Sequence, residues 1–278
     1  MVEGAAQARG GVANLCGPRD GLAMMPGATT ADGTGAIGFA LGIMTALLER
    51  ERHGTGQSVS TSALGAQIFI QSWEIQQCIL TGESLQRAGS YMPNIRGPYG
   101  IYEAKDGGMF LFTLVGDEGW ALLCEKGGDP SLAKDENWND AFKRMGAVPE
   151  MQSEEAVLDV RGRMKRIFKS KTTAEWRNFF HSRDGCIVEK IQDHSEVLKD
   201  PQVLANDYVV PMSFDGIGES MVVGNQVQLS ETPAVIKGPP PQVGDSTREV
   251  MKSLGYSDGD VDEVETHTLE IRKKFLGE

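Results

Sequence analysis

One carboxylate stands in a setting suited to chemistry. The stretch "GATTADGTGAIGFALGIMTALLERERHGTGQ", Gly27 to Gln57, places Asp32 before small residues and then a long apolar run. Two roles are open to it. Asp is a favoured N-cap residue, and a cap contributes about 1 kcal/mol. Alternatively, Asp32 is a nucleophile at the positive end of a helix, where negative charge is favoured and an ionised carboxylate can attack an acyl group. Gly33 and Gly35 carry no side chains to block a ligand, and their backbone N–H groups are expected to face an oxyanion. The roles are compatible.

The other candidates are weaker. "GTGAIG" after Asp32 is a formal GxGxxG, but "MMPGATTAD" before it is no strand pattern and the following acids fall in a helix tail. A nicotinamide-dependent dehydrogenase therefore ranks last. His53, His181, His194 and His267 fall at helix ends or turns without a second histidine one turn away, so no metal site is expected. No HExxH, GxSxG or P-loop occurs. "RGRMKR", Arg161 to Arg166, suggests phosphate binding, yet its interleaving with Val160, Met164 and Ile167 reads as a solvated helix face. Trp73, Trp120, Trp138 and Trp176 are spread out, as core or interface anchors.

The element that positions Asp32 is a helix over residues 34 to 52, capped by Thr34 or Asp32. Apolar residues on nearly every face (Ile37, Phe39, Leu41, Ile43, Met44, Leu47, Leu48) predict packing on several sides. The run Ile37 to Leu48 is too short to cross a bilayer and ends in charge. After the "HGTGQ" turn, a short extended piece leads into a second long helix ending near Gly82. "RAGSYMPNIRGPYG" is a linker or ordered loop, and "YGIYEAKDGGMFLFTLV" a hairpin about a Lys-Asp-Gly-Gly turn. From Gly116 to Arg183 the pattern is mostly helical, with caps at Ser153 and at Thr172 or Thr173. "GCIVEKI" reads as a strand, and "HSEVLKDPQVLAND" as a helix broken at Pro201. Two strands follow ("YVVPMSF", "SMVVGNQVQL"), then the extended "KGPPPQVGDST" and two helices, the first capped by Asp245 or Ser246. The fold class is α/β, with a smaller unit inserted around residues 95 to 200.

The bulk numbers bound the partners. The 278 residues carry a formal charge of −12, which argues against a general nucleic-acid binder while leaving room for a local basic pocket. The first residues lack a signal-peptide pattern. Cys16, Cys78, Cys124 and Cys186 are too scattered for a zinc site, as in a reducing cytoplasm. A cytoplasmic protein, not bound to membranes, is expected.

With these residues in view, the chain resembles the class III CoA-transferases (the CaiB/BaiF type), which include formyl-CoA transferase, carnitine-pathway transferases and α-methylacyl-CoA racemase. The resemblance lies in "QARGGVANLCGPRDGLAMMPGATTADGTGAIGFALGIMTALLERERHGTGQSVSTS", "MPNIRGPYGIYEAKDG", "HSEVLKDPQVLANDYVV" and "TPAVIKGPPPQVGDSTREVMKSLGYS", in family order. It implies a partial Rossmann-like large domain with an inserted smaller α/β domain, in an interlocked dimer. The parts would be residues 1–90 with the Asp32 helix, 91–205 as linker and small domain, and 206–278 returning to the large domain.

The resemblance also implies that CoA moves from an acyl-CoA donor to a carboxylic acid acceptor through an aspartyl-CoA thioester on Asp32. Gly33, Gly35 and the loop residues Asn94, Ile95, Arg96, Gly97, Pro98 and Tyr99 would contact substrate or CoA. No cofactor is held permanently, since coenzyme A arrives as a thioester substrate. The loop lacks the consecutive glycines of formyl-CoA transferase, and the approach to "CIVEKI" lacks the family's proline. The match begins partway into the family pattern, so an opening segment with most CoA nucleotide contacts is expected to come from elsewhere, such as a partner. The alternatives are a racemase-like enzyme and a truncated, non-catalytic fragment or subunit.

Overall fold

The computed structural model describes residues 1–146, 152–181, 186–214, 218–241 and 243–276. The chain forms two compact units, Met1–Ile191 and Gln192–Glu278. The first 99 residues contribute helices and, among the described residues, no strand: α1 (Glu3–Gly10), α2 (Val12–Leu15), α3 (Thr30–His53), α4 (Ala63–Ile70) and α5 (Ser72–Thr81). The helix expected to run unbroken to Gly82 is two helices, because Gln71 leaves the helical conformation between them. Ser62 caps α4 by accepting from Gly65 N–H at 3.0 Å, and Gly82, at φ +74°, closes α5.

The rest of the first unit has a core of its own. Strands β1 (Gly100–Glu103), β2 (Met109–Val115) and β3 (Cys186–Lys190) make an antiparallel sheet in the order β1-β2-β3. The β1–β2 hairpin turns where the sequence placed it, with Gly107 at φ +91° and Ala104 N–H donating to Gly108 O at 2.7 Å. Helices α6 (Asp117–Lys126), α7 (Ala141–Met145), α8 (Glu154–Lys169) and α9 (Thr173–Phe180) surround it. Along α8, Val157, Val160, Met164, Ile167 and Phe168 form a buried stripe at helical spacing. Phe168 stacks on Tyr102 (centroids 5.1 Å apart) and packs against Trp176 (5.4 Å). Burying each such side chain contributes roughly 1.5–3 kcal/mol. Trp120, Trp138 and Trp176 are fully buried here, whereas Trp73 is exposed. Ser153 caps α8, and Thr172 with Glu175 forms a capping box on α9.

The second unit holds two short helices, α10 (His194–Val197) and α11 (Pro201–Ala205), separated where Pro201 was expected to break the pattern. Asp193 caps the first with a capping box, and Asp200 caps the second, with Pro201 in its first turn. Strands β4 (Val209–Phe214) and β5 (Gly218–Val223) pair antiparallel; β5 stops at Val223, short of the expected run to Leu229. Helices α12 (Thr247–Ser253) and α13 (Asp258–Leu276) end the chain. Ser246 holds the N-cap position of α12 without a side-chain cap bond. The approach to β3 at Asp184 and Gly185 lies outside the described residues.

Helix α3 departs from expectation. Only Ala31 is buried in it; Ile37, Leu41, Met44 and Leu48 are exposed. Among the described residues it packs mainly on α4 and α1, with Val59 against Gly42, and most of its apolar surface stays open. Extending from Thr30, it has 24 residues with a mean hydropathy of 1.4 over its most apolar window. By length and composition it could cross a membrane, which the shorter run Ile37 to Leu48 could not.

Candidate active site

The start of α3 is built by α1. The carboxylate of Glu3 accepts the N–H of Ala31 (Oε1, 2.9 Å) and of Asp32 (Oε2, 2.7 Å). Gln7, one turn further along α1, donates through Nε2 to Glu3 Oε1 at 2.6 Å and to Ala28 O at 2.9 Å. Gln67 of α4 donates to Thr30 Oγ1 at 3.0 Å, and Gln71 donates to Gly10 O at 2.9 Å. Gln7 and Gln67 are fully buried. The approach of α1 to α4 depends on Gly10, where a Cβ would lie 2.4 Å from Gln67 Cβ. Burial pushes the Glu3 carboxyl up, but the donors Ala31 N–H, Asp32 N–H, Gln7 and Thr30 outweigh it and hold its pKa below the ordinary glutamate value.

This geometry corrects two expectations. Neither Asp32 nor Thr34 caps the helix: it begins at Thr30, Asp32 is already in its first turn, and the capping carboxylate comes from Glu3. Nor is the N–H of Gly33 free for an oxyanion, because it donates within the helix to Thr29 O at 3.0 Å. Gly33 does open onto free space, with no atom within 4 Å of where a Cβ would stand, while Gly35 faces Ala66. The Asp32 carboxylate is exposed and, among the described residues, makes no hydrogen bond or ion pair. It is neither cap nor salt-bridge partner.

The loop Met92–Tyr99 is held against the small core. Asn94 is buried and donates from Nδ2 to Glu74 Oε1 at 3.2 Å, with its own Oδ1 unpartnered. Ile95 N–H bonds Met92 O at 3.3 Å, and Arg96 N–H bonds Gly146 O at 3.1 Å. Gly97, at φ +128°, packs on Trp138 and accepts from Arg161 Nε at 3.0 Å. Pro98 O accepts from the Tyr102 hydroxyl at 2.7 Å, and Tyr99 is half-buried. Among the described residues no hydrogen bond or ion pair joins this loop to Asp32. A cleft of about 760 Å³ lies in the second unit, between β4 and residues 224–236, and contains none of the residues predicted for the site.

Glu3, Gln7 and Gln67 were missed in the sequence; the spacing of Glu3 and Gln7 by one helical turn was the only signal. Of the histidines, His53 ends α3 beside Glu49 (Nδ1 to Oε2, 2.9 Å), and His267 lies within α13 rather than at an end. "RGRMKR" is not simply solvated. Arg163 makes a bidentate bond to Asp129 (2.7 and 2.6 Å), and the Arg161 guanidinium lies over the Tyr91 ring, 4.0 Å from its centroid. Among the described residues none of the four cysteines is in a disulfide, and burial pushes Cys124 up to about 12.

The mixed α/β fold of the chain is one that solved structures share. A CAIB/BAIF family protein from Brucella suis superposes with a TM-score of 0.68 at 20% identity, covering 91% of this chain and 62% of that one. The family model of CoA-transferase family III matches residues 2–247, and the chain belongs to that family. The succinyl-CoA–L-malate CoA-transferase beta subunit of Chloroflexus aurantiacus is 28% identical over 93% of this chain and 62% of its own length. Formyl-CoA:oxalate CoA-transferase of Bradyrhizobium diazoefficiens is 25% identical over 95% of this chain and 64% of its own length. The chain thus spans under two thirds of these relatives.

Proposed function

We propose that the chain carries the reactive aspartate of a CoA-transferase that moves CoA from an acyl-CoA to a carboxylic acid. The observation that carries this reading is the Asp32 carboxylate itself, exposed and relieved of capping by Glu3. Its oxygen attacks the donor thioester carbon, giving a mixed anhydride and CoA thiolate. The thiolate attacks the Asp32 carbonyl, releasing the donor acid and leaving an aspartyl-CoA thioester. The acceptor carboxylate then attacks that thioester, and the returning thiolate takes the acceptor acyl group and frees Asp32. A weak nucleophile thereby splits one hard step into easier ones. Glu3 and Gln7 fix the backbone that bears Asp32.

In this reading Gly33 and Gly35 leave room for the pantetheine arm, and Asn94 to Tyr99 border the substrate. Acyl-CoA and the acceptor acid are the substrates, no cofactor stays bound, and the protein is cytoplasmic, with neither nucleic acid nor membrane as partner. The exposed face of α3 supports an interlocked homodimer, or a partner that supplies further large-domain structure, in place of a lipid contact. The Rossmann-like character of the large domain and the three-part division 1–90, 91–205 and 206–278 belong to the same proposal.

The test is chemical trapping. Incubation with an acyl-CoA, then hydroxylamine and peptide mass spectrometry, is expected to mark Asp32. An unmarked Asp32 in folded protein overturns catalysis by this chain.

A further inference from the structure

Three arginines gather around one acid where the Met92–Tyr99 loop meets the start of α8. Glu154 is shared: Arg19 Nη1 bonds its Oε1 at 2.6 Å and Arg96 Nη2 its Oε2 at 2.9 Å. Arg161 is the third, and Glu154 does not bond it. Its Nε–H donates to Gly97 O at 3.0 Å and its plane lies over the Tyr91 ring, so the guanidinium is fixed in orientation. Among the described residues its outer nitrogens have neither hydrogen bond nor ion pair. Lys165 stands one helical turn further on, its Nζ 5.9 Å from the centroid of the same ring, also without an ion pair among the described residues.

Charge makes the arrangement more than a clip. Arg19, Arg96, Arg161 and Lys165 bring four positive charges against Glu154 and the Asp20 carboxylate beside Arg19, in a chain whose formal charge is −12. Burial, with Arg96 nearby, lowers the affinity of Arg161 for its proton, while Tyr102, Tyr91 and Glu154 oppose the change. A held guanidinium with an open edge is pre-organised for a planar or tetrahedral oxyanion, which it can meet through two N–H groups at once. The fixed plane also reduces the ordering cost of binding.

We propose that the open edge of Arg161, with Arg96 and Lys165 beside it, binds a doubly charged oxyanion. Two sources share that chemistry: the carboxylates of a dicarboxylic acid, and a phosphate of the coenzyme A nucleotide. The site rests on its own geometry and not on bond formation at Asp32.

The experiment is calorimetric titration of the whole chain at low ionic strength with succinate, acetate, inorganic phosphate and adenosine 3′,5′-bisphosphate. Saturable binding of a dianion, weaker binding of acetate, and weakening by added salt are expected. Arg161→Lys keeps the charge but loses the fork, and exposed Lys165→Ala removes one charge without touching the core. Each is expected to weaken the preferred dianion by about tenfold, and Lys165→Ala to do so at an unchanged melting temperature. Asp32→Asn is expected to bind as the wild type does, which separates failure here from failure of the thioester reading. Preference for succinate assigns the acid as the source, and preference for phosphate or the nucleotide assigns coenzyme A. No saturable dianion binding by folded protein, or equal affinity in both variants, overturns the site.

Discussion

Replacing Asp32 separates the two roles the sequence left open. Asn ranks with Asp as an N-cap but cannot form the anhydride, whereas Ala can do neither. If Asp32 capped α3, Asp32→Ala would cost about 1 kcal/mol more than Asp32→Asn. In the structure Glu3 supplies the cap, so both changes remove only a negative charge from the first helical turn, about 0.3–1 kcal/mol at an exposed position. Ala is also the better helix former inside a helix, by up to about 0.7 kcal/mol. Asp32→Ala is therefore expected to be at least as stable as Asp32→Asn in urea unfolding followed by circular dichroism. Both variants should lose trapping at residue 32, and exchange of label between an acyl-CoA and a free acid should fall to background. Retained exchange in Asp32→Asn refutes the nucleophile. An Ala variant about 1 kcal/mol or more below the Asn variant refutes Glu3 as the cap.

Four further changes probe the frame around the site. Glu3→Gln should lower the melting temperature at neutral pH. Because the Glu3 pKa is lowered on folding, its stabilisation is present above the ordinary glutamate value and lost as pH falls through the folded value, so wild type and variant should converge in acid; parallel melting curves between pH 3 and 7 would refute this. Asp129 is held at about 2, chiefly by its bond to Arg163, from an ordinary value of 3.8. That shift is worth about 2 kcal/mol at neutral pH, lost as pH falls from about 4 toward 2, and Asp129→Asn should remove both the stability and its acid dependence. Gly146→Ala would put a Cβ 1.1 Å from Arg96 O at φ +57°, so limited proteolysis should cut the Met92–Tyr99 loop faster in the variant. Leu41→Asp on the open face of α3 should abolish the proposed dimer in light scattering while leaving the melting temperature of the monomer unchanged.

Local signals were legible wherever sequence neighbours do the work. The hairpin around Gly107, the caps at Ser153 and Thr172, the buried stripe of α8 and the break at Pro201 each need only a few adjacent residues. The cap of α3 needs a contact between Glu3 and Asp32, 29 residues apart, and no local pattern encodes it. "RGRMKR" misled for the same reason. Arg163 finds Asp129 from a distance of 34 residues, and Arg161 finds the carbonyl of Gly97 from 64. Charges clustered on a helix look solvated until a loop brings partners to them.

Helix α3 shows how pattern and burial can part. Apolar residues on all its faces argue for a helix enclosed on all sides, since such a surface is costly to leave in water. Among the described residues α1 and α4 are its main partners, and its start is held by the hydrogen bonds of Glu3, Gln7 and Gln67 rather than by a packed core. Position and environment of Asp32 are therefore set separately. The Glu3 clamp fixes where the carboxylate stands, and whatever covers the open faces of α3 decides how dry its surroundings are. An anhydride intermediate needs both, since water would hydrolyse it. The clamp variant Glu3→Gln and the surface variant Leu41→Asp should accordingly fail differently: the first by losing trapping at Asp32, the second by trading transfer for hydrolysis of the acyl-CoA.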